Sequence, residues 1–588
     1  MIDRRWMTRK NFIVGAAVLV VVLFVAGFYF FRRPPRAEME RYVPAAALAF
    51  LEVDSLSDLT DGLTGTTAWR ELAPVLGLSS QIKQVGFLAD LMGRTGLGPD
   101  EAVLLGRAQC AVVLTGVESK AGETEDGPYV HLRPDFALIV ESHLSPQAAT
   151  RLVHTRGPII AQRIYGDSVE AASEDYRGSE LLVFHGPGTG HQLIAASAGS
   201  VMLIANQPEA MKSCLDAIAG RAATLAEDST LKQMRPEVDG NAAVFGYVTG
   251  SGLNKLFEIW PALLAGRSTE PETVTSFTDL LQHISEQSAT GLLYASEFKA
   301  GGVTEKYLTV LRPEVGEALA QPFKPASGAS LPLLASVPRS IERLTLLDVK
   351  RPGELPEHIL KQLSPHLDVV AGVALREFVI NLRKQYGLEP SDSLGDSVGD
   401  EITLVNFGDE SPSAMLIPVT DKAKVQPAVW RYLKHNGATV TNEGVDAGEI
   451  MISSSDDRRA AAFVDDNLVL GTRDQIAKVI ETRDSRGGID GDEGFKRVLS
   501  SRPAGSSIIS YRPRSDDAPR LLLALSKLTR VTDGSRELLE RDSARAAIER
   551  LPGSASFTEF RNYGVYVEAR SAVGSFSLIG SLVKPDQE

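Results

Sequence analysis

The sequence predicts an α+β protein in which an N-terminal transmembrane helix is followed by two tandem homologous modules of mostly antiparallel sheet with covering helices. Three observations carry this expectation: an uncharged apolar run at positions 12–31, a collinear series of strings that occurs twice, and an alternation of short β-rich runs with amphipathic stretches. At 588 residues and 43% hydrophobic content the chain is too long for one ordinary core and too apolar for disorder. Its 2 cysteines exclude a disulfide framework and a four-thiolate zinc site.

Positions 1–11 form a basic segment bearing Arg4, Arg5, Arg9 and Lys10. From Phe12 to Phe31 no residue is charged, and a helix of that length, at ~1.5 Å per residue, covers a ~30 Å hydrocarbon layer. Arg32, Arg33, Pro34 and Pro35 stand where a small-residue cleavage site would follow a signal peptide, so an uncleaved single-pass anchor is expected. The basic flanks are nearly equal. The orientation therefore rests on the large body that follows, which places it outside the cytoplasm at the inner membrane. Positions 32–41 read as a short linker. Removing the 8 basic and 3 acidic residues of positions 1–41 leaves a body with 53 basic and 72 acidic residues, net −19. Such a surface repels phosphate backbones, so no nucleic-acid partner is expected.

The body is written twice. Val43-Pro44 and Leu51-Glu52-Val53 match Val337-Pro338 and Leu347-Asp348-Val349. Gly96-Leu97-Gly98-Pro99 ahead of Cys110–Leu114 matches Gly387-Leu388-Glu389-Pro390 ahead of Ile402–Val405. Ala137–Val140 leads to a helix ending near His154, and Met415–Ile417 to one ending near His435. Val201–Ala205, Asp228–Lys232 and Val244–Tyr247 match Leu468–Gly471, Asp492–Lys496 and Ile508–Tyr511. Ser288–Leu311 and Ser554–Gly580 read as closing hairpins. The offset shrinks from 294 at Val43 to 264 at Tyr247, which longer first-copy loops such as Thr115–Pro134 explain. These matches set module 1 at 42–311 and module 2 at 336–585. A Pro-rich linker, 312–335, is expected between them because Pro313, Pro322, Pro325 and Pro332 deny backbone donors. Runs such as Leu181–Phe184 carry strand chemistry, while Ser145–Thr155 and Leu367–Tyr386 have helical period. No regular βαβ alternation occurs, which excludes a Rossmann fold or barrel.

The string Val43-Pro44…Leu51-Glu52-Val53, then Thr67-Ala68-Trp69-Arg70-Glu71-Leu72-Ala73, then Gly-Leu-x-Pro before a Gly-led strand resembles a bacterial domain-of-unknown-function family. Its members are single-pass, membrane-anchored extracytoplasmic proteins with a duplicated α+β body. The second copy departs from the pattern, having Leu355-Pro356-Glu357-His358 near the place of the Trp-Arg pair. The resemblance implies architecture and location and brings no catalytic residues.

Each chemistry-bearing string has a structural reading. His185-Gly186-Pro187-Gly188-Thr189-Gly190-His191 lies between strands, so it reads as a hairpin turn rather than a phosphate loop or metal site. Gly93–Gly98 follows a helix and reads as a helix stop. Ser80-Gln81-Ile82-Lys83 matches the Ser-x-x-Lys of penicillin-recognising enzymes but lacks its companion motifs. Asp490–Gly494 fails the spacing of a calcium loop and, with Asp228, reads as a helix N-cap. Asp465-Asp466-Asn467 sits at a strand reversal. Cys110 falls in an apolar strand and Cys214 in an amphipathic helix, where pairing or burial as free thiols are both open. No catalytic residue, cofactor-binding residue or metal ligand is nominated.

These readings lead to the expectation of a non-catalytic binding or structural module of the cell envelope. It would meet the membrane through residues 12–31 and an envelope protein through its body. Two alternatives stand: an envelope hydrolase whose site forms only in three dimensions, and a small-ligand sensor or carrier binding between the two modules.

Overall fold

The computed structural model describes residues 36–77, 108–124, 127–187, 191–265, 285–299, 301–326, 332–389, 394–408, 412–434, 438–445, 448–453, 459–515, 517–529 and 537–575. The first half carries β1 (Ala49–Val53), β2 (Gln109–Thr124), β3 (Gly127–Glu141), β4 (Glu170–Tyr176), β5 (Ser179–His185), β6 (Gln192–Ala198), β7 (Val201–Ala205), β8 (Val244–Thr249), β9 (Ala289–Lys299) and β10 (Gly302–Leu311). The second carries β11 (Arg343–Asp348), β12 (Glu401–Asn406), β13 (Ala414–Pro418), β14 (Val440–Val445), β15 (Gly448–Ser453), β16 (Ala460–Val464), β17 (Asn467–Gly471), β18 (Ile508–Arg512), β19 (Ser554–Arg561) and β20 (Gly564–Ser571). Helices of the first half are α1 (Leu56–Gly65), α2 (Thr67–Leu72), α3 (Pro146–Tyr165), α4 (Pro208–Ile218), α5 (Ser229–Val238) and α6 (Gly250–Ala265). Then follow α7 (Pro313–Ala320), α8 (Leu355–Leu363), α9 (Val369–Gln385), α10 (Lys422–Leu433), α11 (Arg473–Ser485), α12 (Glu493–Ser500), α13 (Ala518–Thr529), α14 (Glu537–Glu540) and α15 (Asp542–Glu549).

Every strand pairing is antiparallel, and the order β4-β5-β6-β7-β3-β2-β1-β8-β9-β10 recurs as β14-β15-β16-β17-β13-β12-β11-β18-β19-β20. The registers recur too. Phe50 faces Val113 and Tyr247 as Leu344 faces Val405 and Tyr511. This assigns Glu52 the counterpart Leu346 and Asp54 the counterpart Asp348, two residues away from the match read off the strings. Two similar apolar tripeptides two positions apart cannot be told apart without the cross-strand partners.

Two separate tandem modules were expected, and the structure corrects this. β10 pairs with β20 from Val303 opposite Ser571 to Val310 opposite Gly564, which makes the strands of the described residues one continuous 20-stranded sheet. An unpaired β10 would expose a row of backbone donors and acceptors, and a second edge of the same shape satisfies them. Leu293 and Ala555 are counterparts, and the hairpins that follow them are equally long. Lys306 therefore faces its own counterpart, Glu568, and an approximate two-fold axis passes between them. The expected membrane helix is not part of the described architecture: positions 12–31 lie outside the described residues, and among those residues no helix is long and apolar enough to cross a membrane.

Helices cover both faces. On one face Met211 of α4 and Leu231 of α5 pack on Phe50, Val113 and Tyr247. Their counterparts Ile476 of α11 and Phe495 of α12 pack on Leu344, Val405 and Tyr511. Asp228 and Asp492 begin α5 and α12 by accepting the amides of Leu231 and Phe495, each at 2.8 Å, as N-caps. The opposite face ties the halves together, since Trp69 and Leu72 of α2 pack with Leu521, Leu522 and Ala544 of α13 and α15. Arg550 pairs with Glu71 across the same contact at 2.6 Å. Reciprocally, Leu311 and Val315 of the first half and α7 pack with Leu363 and Leu375 of α8 and α9.

Four further sequence expectations change. The linker at 32–41 is docked from residue 36 onward: Met39 is buried, and Gln109 brackets Ala37 with two hydrogen bonds. The linker at 312–335 holds α7, because Pro313 in the first turn costs no helical hydrogen bond and Val315 and Ala318 are buried. Positions 115–124 and 127–134 are the paired extension of β2 and β3 rather than a loop, and α3 continues past His154 to Tyr165.

Candidate functional site

Charged residues at core-facing positions mark one end of the central strands in each half. Glu52, only 2% exposed, meets Arg235 of α5, whose guanidinium also pairs with Asp239 at 2.7 Å and Glu40 at 3.3 Å. The same guanidinium lies 4.2 Å from the Phe245 ring centroid. Arg36 reaches in from the docked N-terminal stretch to Asp54 at 2.8 Å and Glu52 at 3.3 Å. Desolvation pushes the Glu52 carboxyl up to about 7, against the opposing pull of Arg235. In the second half Arg502 pairs with Asp348, and burial together with the neighbouring Asp348 charge pushes Glu401 up to about 7, while a hydrogen bond from Thr403 opposes the rise. The first cluster ties α5 back to β1 and the second ties the segment after α12 to β11, so they read as buried structural ion pairs. A polar groove of about 460 Å³ beside Arg235 is lined by Glu38, Glu40 and Asp239. A charged residue at the inward position of an apolar strand, as in Ala49–Val53, was the sequence signal for these clusters.

An apolar space lies elsewhere. A cavity of about 200 Å³ lies in the second half, floored by Ile402, Met415, Ile417, Leu468 and Leu470 of β12, β13 and β17. Val425, Ala428 and Val429 of α10 roof it, and Leu382 and Tyr386 of α9 wall it. Gly387 ends α9 at φ +68, and Leu388 donates back to the Arg383 carbonyl at 2.9 Å. A Cβ at Gly387 would press on the backbone of α10 at Tyr432 N, so glycine lets the two helices meet and close one end. Arg431 Nε donates to the Gly387 carbonyl at 2.8 Å, and the Tyr386 and Tyr432 rings stack at 6.4 Å.

One end of the cavity is charged. Arg383 of α9, 15% exposed, pairs with Glu357 of α8, 43% exposed, and also donates to the Glu389 carbonyl. In the first half the sheet positions equivalent to the floor are Cys110, Leu138, Val140, Met202 and Ile204. There they pack directly with Ala149, Leu152 and Val153 of the longer α3. The two halves share a sheet and differ in what covers it.

The singled-out strings sort as follows. His185 and His191 flank the β5–β6 turn, where Gly186 donates to the His191 carbonyl at 2.8 Å. Asp465 turns the β16–β17 hairpin at φ +54. His154 of α3 pairs with Glu180 of β5 at 3.3 Å. Cys110 and Cys214 lie on opposite faces of the sheet as free thiols, pushed by burial up to about 11 and about 12. Ser80–Lys83, Gly93–Gly98 and His435 lie outside the described residues. Among the described residues no group of three or more potential ligands could hold a metal ion. The chain matches no protein-family model, no curated protein and no solved structure.

Proposed function

We propose that this chain is a non-catalytic binding protein of the cell envelope, meeting the membrane through residues 12–31 with its body outside the cytoplasm. Its ligand is a small molecule held in the second-half cavity. The observation that carries the reading is the lining itself: five sheet side chains and three from α10 are apolar, and the ionisable side chains of the described lining are the Glu357–Arg383 pair, Tyr386 and Tyr432. Nucleophilic or general acid–base chemistry would have to use those few groups, whereas an apolar cavity of ~150 Å³ already suffices to stay dry and bind benzene. The site belongs to one half rather than to the interface between the halves. A family resemblance to membrane-anchored extracytoplasmic proteins is compatible with this role. A second reading, contact with an envelope protein, is favoured by exposed Val369, Val370 and Val373 on α9.

The test is calorimetric titration of octanol into the full-length protein in nanodiscs, against empty nanodiscs. One saturable site is expected, lost in Ala428→Leu, which extends a roof side chain into the cavity. Heat indistinguishable from that of empty discs, or binding unchanged by a folded Ala428→Leu protein, would refute the reading.

A further inference from the structure

We infer that the second-half cavity selects an apolar molecule bearing a carboxylate, whose head group takes the place of Glu357 on Arg383; this rests on the binding reading above. The charged end is asymmetric. Arg383 is 15% exposed, inside the span of α9, and is held by its bond to the Glu389 carbonyl. Its partner Glu357 is 43% exposed on α8, a helix of 9 residues, in the Leu355-Pro356-Glu357-His358 string that distinguishes the second copy. Glu357 can therefore swing into water, where a carboxylate is well solvated, while the guanidinium stays at the mouth of an apolar space.

Exchanging one carboxylate for another keeps the Arg383 guanidinium paired. A neutral head group would leave either the guanidinium uncompensated or the Glu357 pair in place with no polar contact for the ligand. A cation would meet Arg383 directly and be repelled. The cavity volume of about 200 Å³ suits a tail of about eight non-hydrogen atoms, by comparison with benzene in ~150 Å³. Direct packing of α3 on the equivalent first-half positions predicts one site per chain.

The experiment compares octanoate with octanol at pH 7.5, using the full-length protein in nanodiscs and carboxyl-labelled octanoate observed by carbon NMR. One octanoate per chain is expected, bound about tenfold or more tightly than octanol. Arg383→Leu should abolish that preference while octanol still binds. Glu357→Gln, which removes the competing carboxylate, should tighten octanoate several-fold and leave octanol unchanged. Equal binding of the two probes, or an octanoate affinity unmoved by Glu357→Gln, would overturn the head-group inference and leave the apolar site standing. Binding of neither probe would remove both.

Discussion

Replacing Glu52 with Gln turns a buried titration into a fixed neutral group, and the consequence is a change in how stability depends on pH. Glu52 sits 2% exposed on β1, and desolvation raises its carboxyl from 4.5 to about 7. Between those values the folded state holds a proton that the unfolded chain has released, so stability falls as pH rises through the window and the loss is complete above pH 7. A shift of that size corresponds to about 3 kcal/mol. Gln mimics the protonated form and carries no such loss. Glu52→Gln should therefore gain about 3 kcal/mol relative to the wild type on going from pH 4.5 to pH 8, whatever its offset at pH 4.5. Glu401 titrates in the same range, so the single variant keeps part of the slope and Glu52→Gln/Glu401→Gln flattens it. Urea unfolding followed by tryptophan fluorescence, with Trp69 as a buried reporter, measures this at both pH values. Identical pH slopes for wild type and Glu52→Gln would refute the assignment of a proton to Glu52.

Four other outcomes follow from the packing. Thr309→Pro on β10 removes a strand donor between β9 and β20 and should cost ~3 kcal/mol or more, with calorimetry resolving separate transitions for the two halves in place of one. Trp69→Ala empties the shared core of α2, α13 and α15 and should cost about 3–5 kcal/mol by urea unfolding. Gly564→Ala would drive a Cβ into the Thr309 carbonyl at the strand junction, so it should lower the melting temperature, whereas Gly301→Ala, with open space around it, should not. Cys214 should not react with an aromatic disulfide reagent at pH 8 until denaturant is added, because burial holds its thiol protonated and covered.

Much of the local structure was legible because it is local. Asp228 and Asp492 announce helix starts by a side-chain bond three residues long, and Gly387 announces a stop by a backbone angle that side chains disfavour. Continuous apolar runs in Ala137–Val140 and Met415–Ile417 mark strands covered on both faces. The match of Glu52 to Asp348 failed, because register is decided by partners on neighbouring strands that the string does not contain. The linker readings at 32–41 and 312–335 failed for a related reason: proline and small residues signal an irregular start, and burial of Met39 or Val315 depends on distant surfaces. The cavity was invisible because its floor, roof and charged end come from segments scattered between Glu357 and Leu470.

By itself the sequence determined the periodicity of the strands and helices, the caps, the acidic balance and the doubling of the strings. Those are properties of side chains and of near neighbours along the chain. Only the tertiary structure decided that two edges join into one sheet, that α2 packs in the other half, and that α10 leaves a space where α3 does not. The joining of β10 to β20 is made by backbone amides and carbonyls, which every residue but proline offers alike, so no side-chain pattern can encode which edge finds which.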